Sequence, residues 1–245
     1  MKINKSCFIL ACAILLAGAR VHADEIITNG GFESGFSGWT HADLPGSDGT
    51  FLLQSGTKSP VNGLTVPAPP GGTIAAMSDA QGPGSHVLYQ DFLLSAPVGS
   101  AALSFDIFLG NRASGFFTPT PNTLDFSVAA FNQQARVDIV LASASPFSVS
   151  SGDVLLNLFA TTPGGSVPAG YVTHSAEIAS FLNSHLNTPL RLRFAETDNV
   201  GIFNFGLDNV GLQTSPVPEP SSLLMGGLGA LTLLFCLRRG AHSEP

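Results

Sequence analysis

The residue sets that usually carry catalysis are incomplete in this sequence. Gly35–Gly38 holds a serine between glycines, but it lacks the Gly-x-Ser-x-Gly spacing of a nucleophile elbow. No His-Glu-x-x-His zinc motif occurs, and His174 and His185 lack metal-ligand spacing with another His, Asp or Glu. Paired carboxylates for glycoside hydrolysis stay an open alternative, because acidic residues distant in sequence can meet in space. We therefore predict a protein that is not an enzyme, with no assigned catalytic residue.

Cysteine and charge usage restrict the remaining chemistry. Cys7, Cys12 and Cys236 all lie near the chain ends, so residues 24–216 have no disulfide and no thiolate metal site. The net charge of the chain is −7. The lysines and arginines of residues 24–216 are Lys58, Arg112, Arg136, Arg191 and Arg193. This acidic balance argues against a nucleic-acid partner.

The elements that would position these residues are mainly β-strands. Apolar and polar residues alternate in short runs separated by Gly, Pro, Asn and Ser clusters, which is typical of a β-sandwich or jelly roll. Alternation within Leu190–Phe194 places Arg191 and Arg193 on the solvent face. The predicted strands are Val87–Leu94, Ala101–Leu109, Leu124–Val128, Arg136–Leu141, Val154–Ala160, Leu190–Phe194 and Phe203–Leu212.

Two segments depart from the strand pattern. Ala176–Leu186 has apolar residues at helical spacing, with Ser175 as a possible N-cap and Pro189 beyond its end, so it predicts one short helix. Gly46–Ser85 is rich in Gly, Pro, Ser and Thr and predicts a long loop, which is either a binding loop or a mobile one.

The N-terminus is typical of a targeting segment. Lys2 and Lys5 precede the apolar run Cys7–Gly18, and Val21–Ala23 has small residues where a signal peptidase reads them. We predict a signal peptide at residues 1–23 that signal peptidase removes. The alternative is an uncleaved N-terminal anchor.

A short apolar segment at the C-terminus lies between two polar motifs. Ser221–Leu237 approaches the roughly 17 residues that a helix needs to cross a hydrocarbon core. The arginines after it would stay cytoplasmic. Hydropathy alone also fits an ordinary single-pass anchor. The residues with motif character are Val217, Pro218, Glu219, Pro220, Arg238 and Arg239.

These C-terminal parts together resemble the PEP-CTERM sorting signal of Gram-negative envelope proteins. In that family a Pro-Glu-Pro motif precedes a transmembrane helix and an arginine cluster. The signal would cover residues 217–245, with the transmembrane helix at 221–237 and the basic tail at 238–245. The resemblance implies that an exosortase is a partner and cleaves near Glu219. It also implies a biofilm-forming host, membrane anchoring by the helix, and a surface or extracellular location after processing.

Three short motifs lie in the region between the two ends. They are Asn29-Gly30-Gly31-Phe32-Glu33, Gly38-Trp39 and Leu207-Asp208-Asn209-Val210. They resemble the first and last strands of galactose-binding-like jelly rolls, such as several carbohydrate-binding modules. The resemblance implies that those strands lie together, with a structural Ca²⁺ held by Glu33 and Asp208. The alternative is that both carboxylates only bond to backbone at a strand end.

The same resemblance implies sugar binding on exposed aromatic faces. Trp39 holds a position that packs the core in the family, and Tyr89 lies within an apolar strand, which leaves Tyr171 as the free aromatic residue. No ligand-binding residue is assigned. The leading prediction is a non-enzymatic cell-envelope or extracellular-matrix protein. The alternative is a carbohydrate-binding module for extracellular polysaccharide, and a hydrolase would need a cleft with two close carboxylates.

Overall fold

The structure is a computed structural model that describes residues 23–217 and Gly227. The chain divides into a unit Asp24–Thr214 and a second unit made of Met1–Ala23 and Ser215–Pro245. Apart from Ala23 and Gly227, the predicted signal peptide and the predicted transmembrane helix lie outside the described residues. Among the residues that are described, no helix is long and apolar enough to span a membrane.

The unit Asp24–Thr214 is built from short strands with one brief helix. The elements are β1 (Asp24–Glu25), β2 (Thr40–Asp43), β3 (Thr50–Ser55), β4 (Ile74–Asp79), β5 (Gly84–Phe92), β6 (Val98–Asn111), β7 (Gln133–Leu141), β8 (Val154–Ala160), β9 (Val172–Glu177), α1 (Ala179–Asn183), β10 (Leu190–Asp198) and β11 (Phe203–Pro216).

These strands form the two sheets of a β-sandwich, which confirms the predicted mainly β class. Sheet A has the order β3-β4-β11-β6-β9, and β1 also pairs with β11. Sheet B has the order β2-β5-β10-β7-β8. Asp24 pairs with Thr214, so the first and last strands lie together, as the resemblance implied.

The core lies between the sheets and follows the period-two alternation of the strands. On β6 the inward side chains include Phe105 and Ile107, and on β10 they include Leu192 and Phe194. The rings of Phe105 and Phe194 meet edge-to-face across the sheets with centroids 5.5 Å apart. Burying each such side chain contributes roughly 1.5–3 kcal/mol, so these inward rows hold the sheets together.

Two predictions about strands are wrong. Leu124–Val128 forms turns and bends rather than a strand. Leu124 instead packs on the outer face of sheet B, and Asp125 accepts hydrogen bonds from the amide and hydroxyl of Ser127, 2.8 and 2.7 Å long. The predicted loop Gly46–Ser85 contains β3, β4 and the start of β5, because pairing with neighbouring strands overrides its loop-like composition.

The predicted helix is much shorter than Ala176–Leu186. Ser175 does not cap a helix, because it pairs with Ser104 within sheet A, and Glu177 also belongs to β9. The Glu177 carboxylate accepts hydrogen bonds from the amides of Ala101 (2.6 Å) and Ala179 (3.0 Å). These bonds link the end of β9 to the start of α1.

The prediction that Arg191 and Arg193 face solvent is also wrong. Arg191 is buried, and Arg193 is 0% exposed. Arg193 donates to Asp138 Oδ2 from Nε (3.0 Å) and from a terminal nitrogen (2.9 Å), and to the Pro146 carbonyl at 2.6 Å. The loop after β7 therefore covers this face of sheet B, and an acidic partner compensates the buried charge.

Candidate functional site

Both predicted calcium ligands contact the segment 71–74 that leads into β4. Glu33 Oε1 accepts hydrogen bonds from the amides of Thr73 (2.7 Å) and Ile74 (2.8 Å). Its Oε2 accepts the hydroxyl of Thr73 at 2.8 Å. These bonds, that of the Thr73 amide foremost, lower the pKa of Glu33 below its usual value. The Glu33 carboxylate thus fastens the segment 56–73, between β3 and β4, to the first turns of the domain.

Asp208 lies where β11 gains one extra residue. Leu207 and Val210 both belong to the core, and Asn209 adopts a positive φ of 51°, so alternation is interrupted between them as in a β-bulge. Asp208 Oδ2 accepts the amide of Gly71 at 3.0 Å, and Oδ1 accepts the amide of Asn209 at 2.7 Å. Burial raises the pKa of Asp208 to about 6, although these two bonds oppose the rise.

A second carboxylate lies beside Asp208 on the outer face of sheet A. Asp106 accepts hydrogen bonds from the Asn209 amide side chain (2.7 Å) and from the Thr173 hydroxyl (2.5 Å). Its negative charge adds to the burial that raises the pKa of Asp208. The two carboxylates therefore belong to one polar cluster that hydrogen bonds hold in place.

Tyr171 is not a free aromatic residue, so that prediction is wrong. Its ring packs on Phe108 with centroids 5.8 Å apart, next to the buried side chains of Val66 and Met77. Burial raises the pKa of Tyr171, and the nearby Asp208 and other carboxylates raise it further. The segment 56–73 between β3 and β4 places Val66 on this face of sheet A and forms a small core there, in which Tyr171 is partly buried.

The hydrogen-bond donors around Glu33 and Asp208 match the alternative in which these carboxylates bond to backbone rather than to a metal ion. Every oxygen of the two carboxylates already accepts an N–H or O–H bond. Calcium needs six to eight converging oxygens. Within residues 23–217, no group of three or more His, Cys, Asp or Glu side chains is arranged to hold a metal ion. This donor set does not fit the Ca²⁺ that the resemblance implied.

The other two candidate aromatic residues take part in the packing of the domain. Trp39 lies in the core against Phe32, with ring centroids 5.3 Å apart, and its indole N–H donates to the Asn29 carbonyl at 3.1 Å. The guanidinium of Arg191 stacks 3.9 Å from the centroid of Tyr89. Neither ring offers an open face of the kind on which a sugar stacks.

A cluster of ionisable residues at one end of the sandwich was not predicted from the sequence; His86, Glu196 and Asp198 are buried, whereas Asp43 and Asp48 are exposed. His86 is 0% exposed, and its Nδ1 lies 2.7 Å from Asp43 Oδ1. Its Nε2 lies 3.0 Å from the carbonyl oxygen of Asp48 and 3.9 Å from Glu196 Oε1. Asp198 accepts the amide of Gly84 at 2.9 Å nearby. We call His86, Asp43, Asp48, Glu196 and Asp198 the acidic end cluster.

Burial changes the ionisation of two members of the acidic end cluster. It raises the pKa of Glu196 well above its usual value, with Asp198 adding to the effect. Burial also raises the pKa of Asp198 to about 7, although the amide of Gly84 opposes the rise. The sequence holds a signal for this cluster, because the alternation that buries Leu88 and Phe194 continues to His86 and Glu196.

A small cleft opens where the edge strands β8 and β9 face each other. Its volume is about 80 Å³, and its lining residues are Ile107, Leu109, Phe159, Pro168, Gly170, Val172 and His174. Burial lowers the pKa of His174, against the effect of Asp106. This cleft has no carboxylate in its lining, so it lacks the acidic pair that a glycoside hydrolase needs.

The remaining predicted residues are placed as follows. His174 lies between the rings of Phe105 and Phe159, with centroids 5.4 and 4.9 Å away. His185 Nδ1 donates to the Phe181 carbonyl at 2.8 Å at the end of α1. Of the sorting residues only Val217 is described, and it is 50% exposed. Pro218, Glu219, Pro220, Arg238 and Arg239 lie outside the described residues.

Comparison with known families confirms the C-terminal motif. Residues 216–239 match the family described as the PEP-CTERM protein-sorting motif. The motif begins at Pro216, the residue at which β11 ends. No curated protein sequence matches the chain.

The solved structures that match include a carbohydrate-binding module, a cyclase and an adhesin domain, each under 20% identical to this chain. The module TmCBM61, solved with β-1,4-galactotriose, is 12% identical with a TM-score of 0.43 and covers 77% of this chain and 97% of its own. A Stig cyclase from Fischerella sp. TAU is 19% identical with a TM-score of 0.46 over 80% of this chain and 100% of its own. The K3 adhesin domain of Lys-gingipain from Porphyromonas gingivalis is 14% identical with a TM-score of 0.44 over 77% and 98%.

Proposed function

We propose that this chain is an exported, non-enzymatic protein of the cell envelope or extracellular matrix that an exosortase processes. The observation that carries the proposal is the PEP-CTERM match at residues 216–239, directly after the last strand of a folded sandwich. A sorting motif implies export and a surface or extracellular location. The sandwich is then the cargo, and the tail from Val217 onward is the segment that the sorting machinery handles.

Each end of the chain has its own role in this proposal. Signal peptidase removes residues 1–23 after export. The apolar segment 221–237 then holds the chain in the inner membrane, with Arg238 and Arg239 on the cytoplasmic side. Exosortase cleavage near Pro218–Pro220 frees the sandwich for the surface or the extracellular polymer.

The non-enzymatic part of the proposal rests on how the acidic residues are used. Glu33 and Asp208 hold a loop, and Glu196 and Asp198 are buried within the sandwich. The described cleft between β8 and β9 carries no acidic residue. These side chains therefore have structural partners, and Asp208, Glu196 and Asp198 are also removed from solvent.

Cell fractionation tests the proposal. We expect the sandwich at the surface or in the medium of the producing bacterium, and retention in the inner membrane of a strain that lacks exosortase. A chain with Glu219→Ala should also be retained, whereas Glu25→Ala, outside the motif, serves as the matched control. Equal release from both strains would contradict exosortase processing.

Carbohydrate binding is the second candidate, and one feature favours it. Phe131 is 64% exposed, and its ring meets Phe117 edge-to-face with centroids 5.4 Å apart. An exposed aromatic face is a suitable contact for a sugar ring. A glycan array probed with the wild type and with Phe131→Ala tests this candidate. We expect the wild type to bind a glycan and the Phe131→Ala variant to lose that binding. If the wild type bound no acidic or neutral glycan, carbohydrate binding would be ruled out. Only the proposal of a non-enzymatic envelope or matrix protein would then remain.

Calcium binding at Glu33 and Asp208 is tested separately by calorimetry. Because the carboxylate oxygens are already engaged, we expect the melting temperature to be the same in Ca²⁺ and in EGTA. A higher melting temperature in Ca²⁺, lost in Asp208→Asn, would instead establish a calcium site.

A further inference from the structure

The hydrogen-bond partners of His86 favour two protons on its ring. The Nδ1 atom faces the Asp43 carboxylate at 2.7 Å, and Nε2 faces the Asp48 carbonyl oxygen at 3.0 Å. A carbonyl oxygen only accepts hydrogen bonds, and so does an ionised carboxylate. Burial raises the pKa of Asp43, but the hydrogen bonds from His86 and Thr50 outweigh it and keep the pKa below its usual value, so Asp43 is the ionised partner. Both ring nitrogens are therefore placed to donate.

His86 and Asp48 together join two loops to the sandwich. Asp48 Oδ2 accepts the amides of Gln81, at 2.8 Å, and of Gly82, and the Asp48 amide donates to the Pro83 carbonyl at 3.0 Å. The loop 44–49 is thus tied to the turn 80–83 through Asp48. The Asp48 carbonyl also accepts a hydrogen bond from His86, which belongs to β5. The His86 imidazole therefore connects both the loop 44–49 and the turn 80–83 to β5.

Close packing leaves this arrangement little freedom. A Cβ atom at Gly84 would overlap His86 Nε2, and one at Gly49 would overlap the Asp79 carbonyl and Ala80. Without its Nε2 proton, the buried ring of His86 would place a lone pair against the Asp48 carbonyl oxygen. The buried imidazole cannot turn away from that repulsion, so the loop has to move.

The two buried carboxyl groups of the acidic end cluster also favour the protonated state. Glu196 is 1% exposed, and its Oε2 has no hydrogen-bond partner within the described part of the chain. The hydroxyl of Ser78, from the opposite sheet, bonds to the same carboxyl group. Asp198 lies next to it with the Gly84 amide as its donor. An ionised Glu196 would leave a buried charge with one unsatisfied oxygen.

We propose that the acidic end cluster is a proton-dependent latch that holds the loop 44–49 and the turn 80–83 against the sandwich and releases them when the buried carboxyl groups of Glu196 and Asp198 lose their protons. The groups that face His86 are Asp43 from β2, Asp48 from the loop, and Glu196 and Asp198 from β10. The latch does not depend on the sorting function of the C-terminal motif.

The sign of the pH dependence follows from the direction of each shift. The pKa of Asp198 rises from 3.8 to about 7 in the folded protein, and burial also raises that of Glu196. Their contribution to stability is complete below the unfolded values and is lost as pH rises through the folded ones. Asp43 has a lowered pKa, so its contribution is lost only below its usual value of 3.8. The latch is therefore closed in mild acid and opens above about pH 7.

Ring ¹⁵N NMR of the purified full-length protein tests the geometry directly. We expect both ring nitrogens of His86 to be protonated while the loop 44–49 is held against the sandwich, with the signal assigned by its loss in His86→Gln. A ring with a single protonated nitrogen in that closed state would overturn the latch. The measurement is made on the wild type, so it remains decisive even where the variant folds poorly.

Hydrogen exchange tests the movement of the loops. After correction for chemical exchange, protection of residues 44–49 and 80–85 should fall roughly tenfold or more between about pH 5 and pH 8, while that of β10 residues 190–194 stays constant. Glu196→Gln should make this fall smaller, because a neutral side chain no longer titrates. His185→Gln, which alters a histidine at the end of α1, is the control and should behave as wild type. Unchanged protection of both segments across this range would refute the proposal.

Discussion

At the scale of single residues, the most unusual side chain is the fully buried arginine on β10. Arg193 bonds to Asp138, which also accepts two bonds from Arg136, at 2.6 and 2.8 Å. Burial lowers the pKa of Arg193, while Asp138 opposes that effect. One buried carboxylate therefore compensates two cations, and its loss would leave both charges without an acidic partner there.

We predict a large loss of stability for Asp138→Ala. Breaking a buried ion pair typically costs about 3–5 kcal/mol of unfolding free energy, because the remaining charge is left in the interior. The matched control is Asp91→Ala, which should cost clearly less, because Asp91 is 47% exposed and its pair with Arg191 is accessible to water. Urea unfolding of both variants measures the difference, and equal losses would show that Asp138 is not the residue that compensates the buried charge.

The sequence could predict part of this site. The alternation of polar and apolar residues within Leu190–Phe194 correctly places Arg191 and Arg193 on the face of β10 opposite the core side chains. It could not predict that the loop after β7 folds over them, because that loop is joined to the arginines only through the carbonyls of Ala144 and Pro146. Backbone acceptors carry no signal in the residue types.

At the scale of elements, the junction between the first turns and β11 depends on close backbone approach. The Val210 amide donates to the Gly30 carbonyl at 3.0 Å, and a Cβ atom at Gly30 would overlap the Val210 carbonyl oxygen. Asn29 also adopts a positive φ of 51° at this turn. The Asn-Gly-Gly motif is thus explained by backbone geometry and does not require a ligand.

Gly30→Ala is predicted to destabilise the domain. Overpacking against rigid backbone costs about 1–3 kcal/mol or more, since neither Gly30 nor β11 can shift without breaking pairing. Gly152→Ala is the control, because a Cβ there would lie at an ordinary distance of 3.7 Å from Ser150. Chemical denaturation should give a clear loss for the first variant and nearly none for the second. A neutral Gly30→Ala would contradict the close approach.

Element boundaries were predicted least well where tertiary pairing decides them. Ala176 and Glu177 lie in a run whose apolar residues have helical spacing. Both residues nevertheless belong to β9, because they pair with the neighbouring strand β6. Val154–Ala160 was predicted with its observed bounds, since its apolar run is closed by turns at both ends. Local pattern was sufficient in the second case, whereas in the first a distant strand overrode it.

At the scale of the whole molecule, the chain combines a two-sheet sandwich with a C-terminal sorting motif. The sandwich class could be predicted because inward rows such as Phe105 and Ile107 alternate regularly with polar residues. The acidic end cluster and the covering loops could not, because they depend on contacts between residues such as Asp43 and His86 that are far apart in the chain. The sorting motif could be predicted more clearly than these clusters and loops, since its residues are contiguous in sequence.

The most direct test of the account is mass spectrometry of the mature protein recovered from the surface or medium of the producing bacterium. We predict an N-terminus at Asp24 and a C-terminus close to Pro218–Pro220, with the apolar segment 221–237 and the two arginines removed. A mature chain that still ends beyond Arg238 and Arg239 would contradict exosortase processing and would make the tail a permanent anchor.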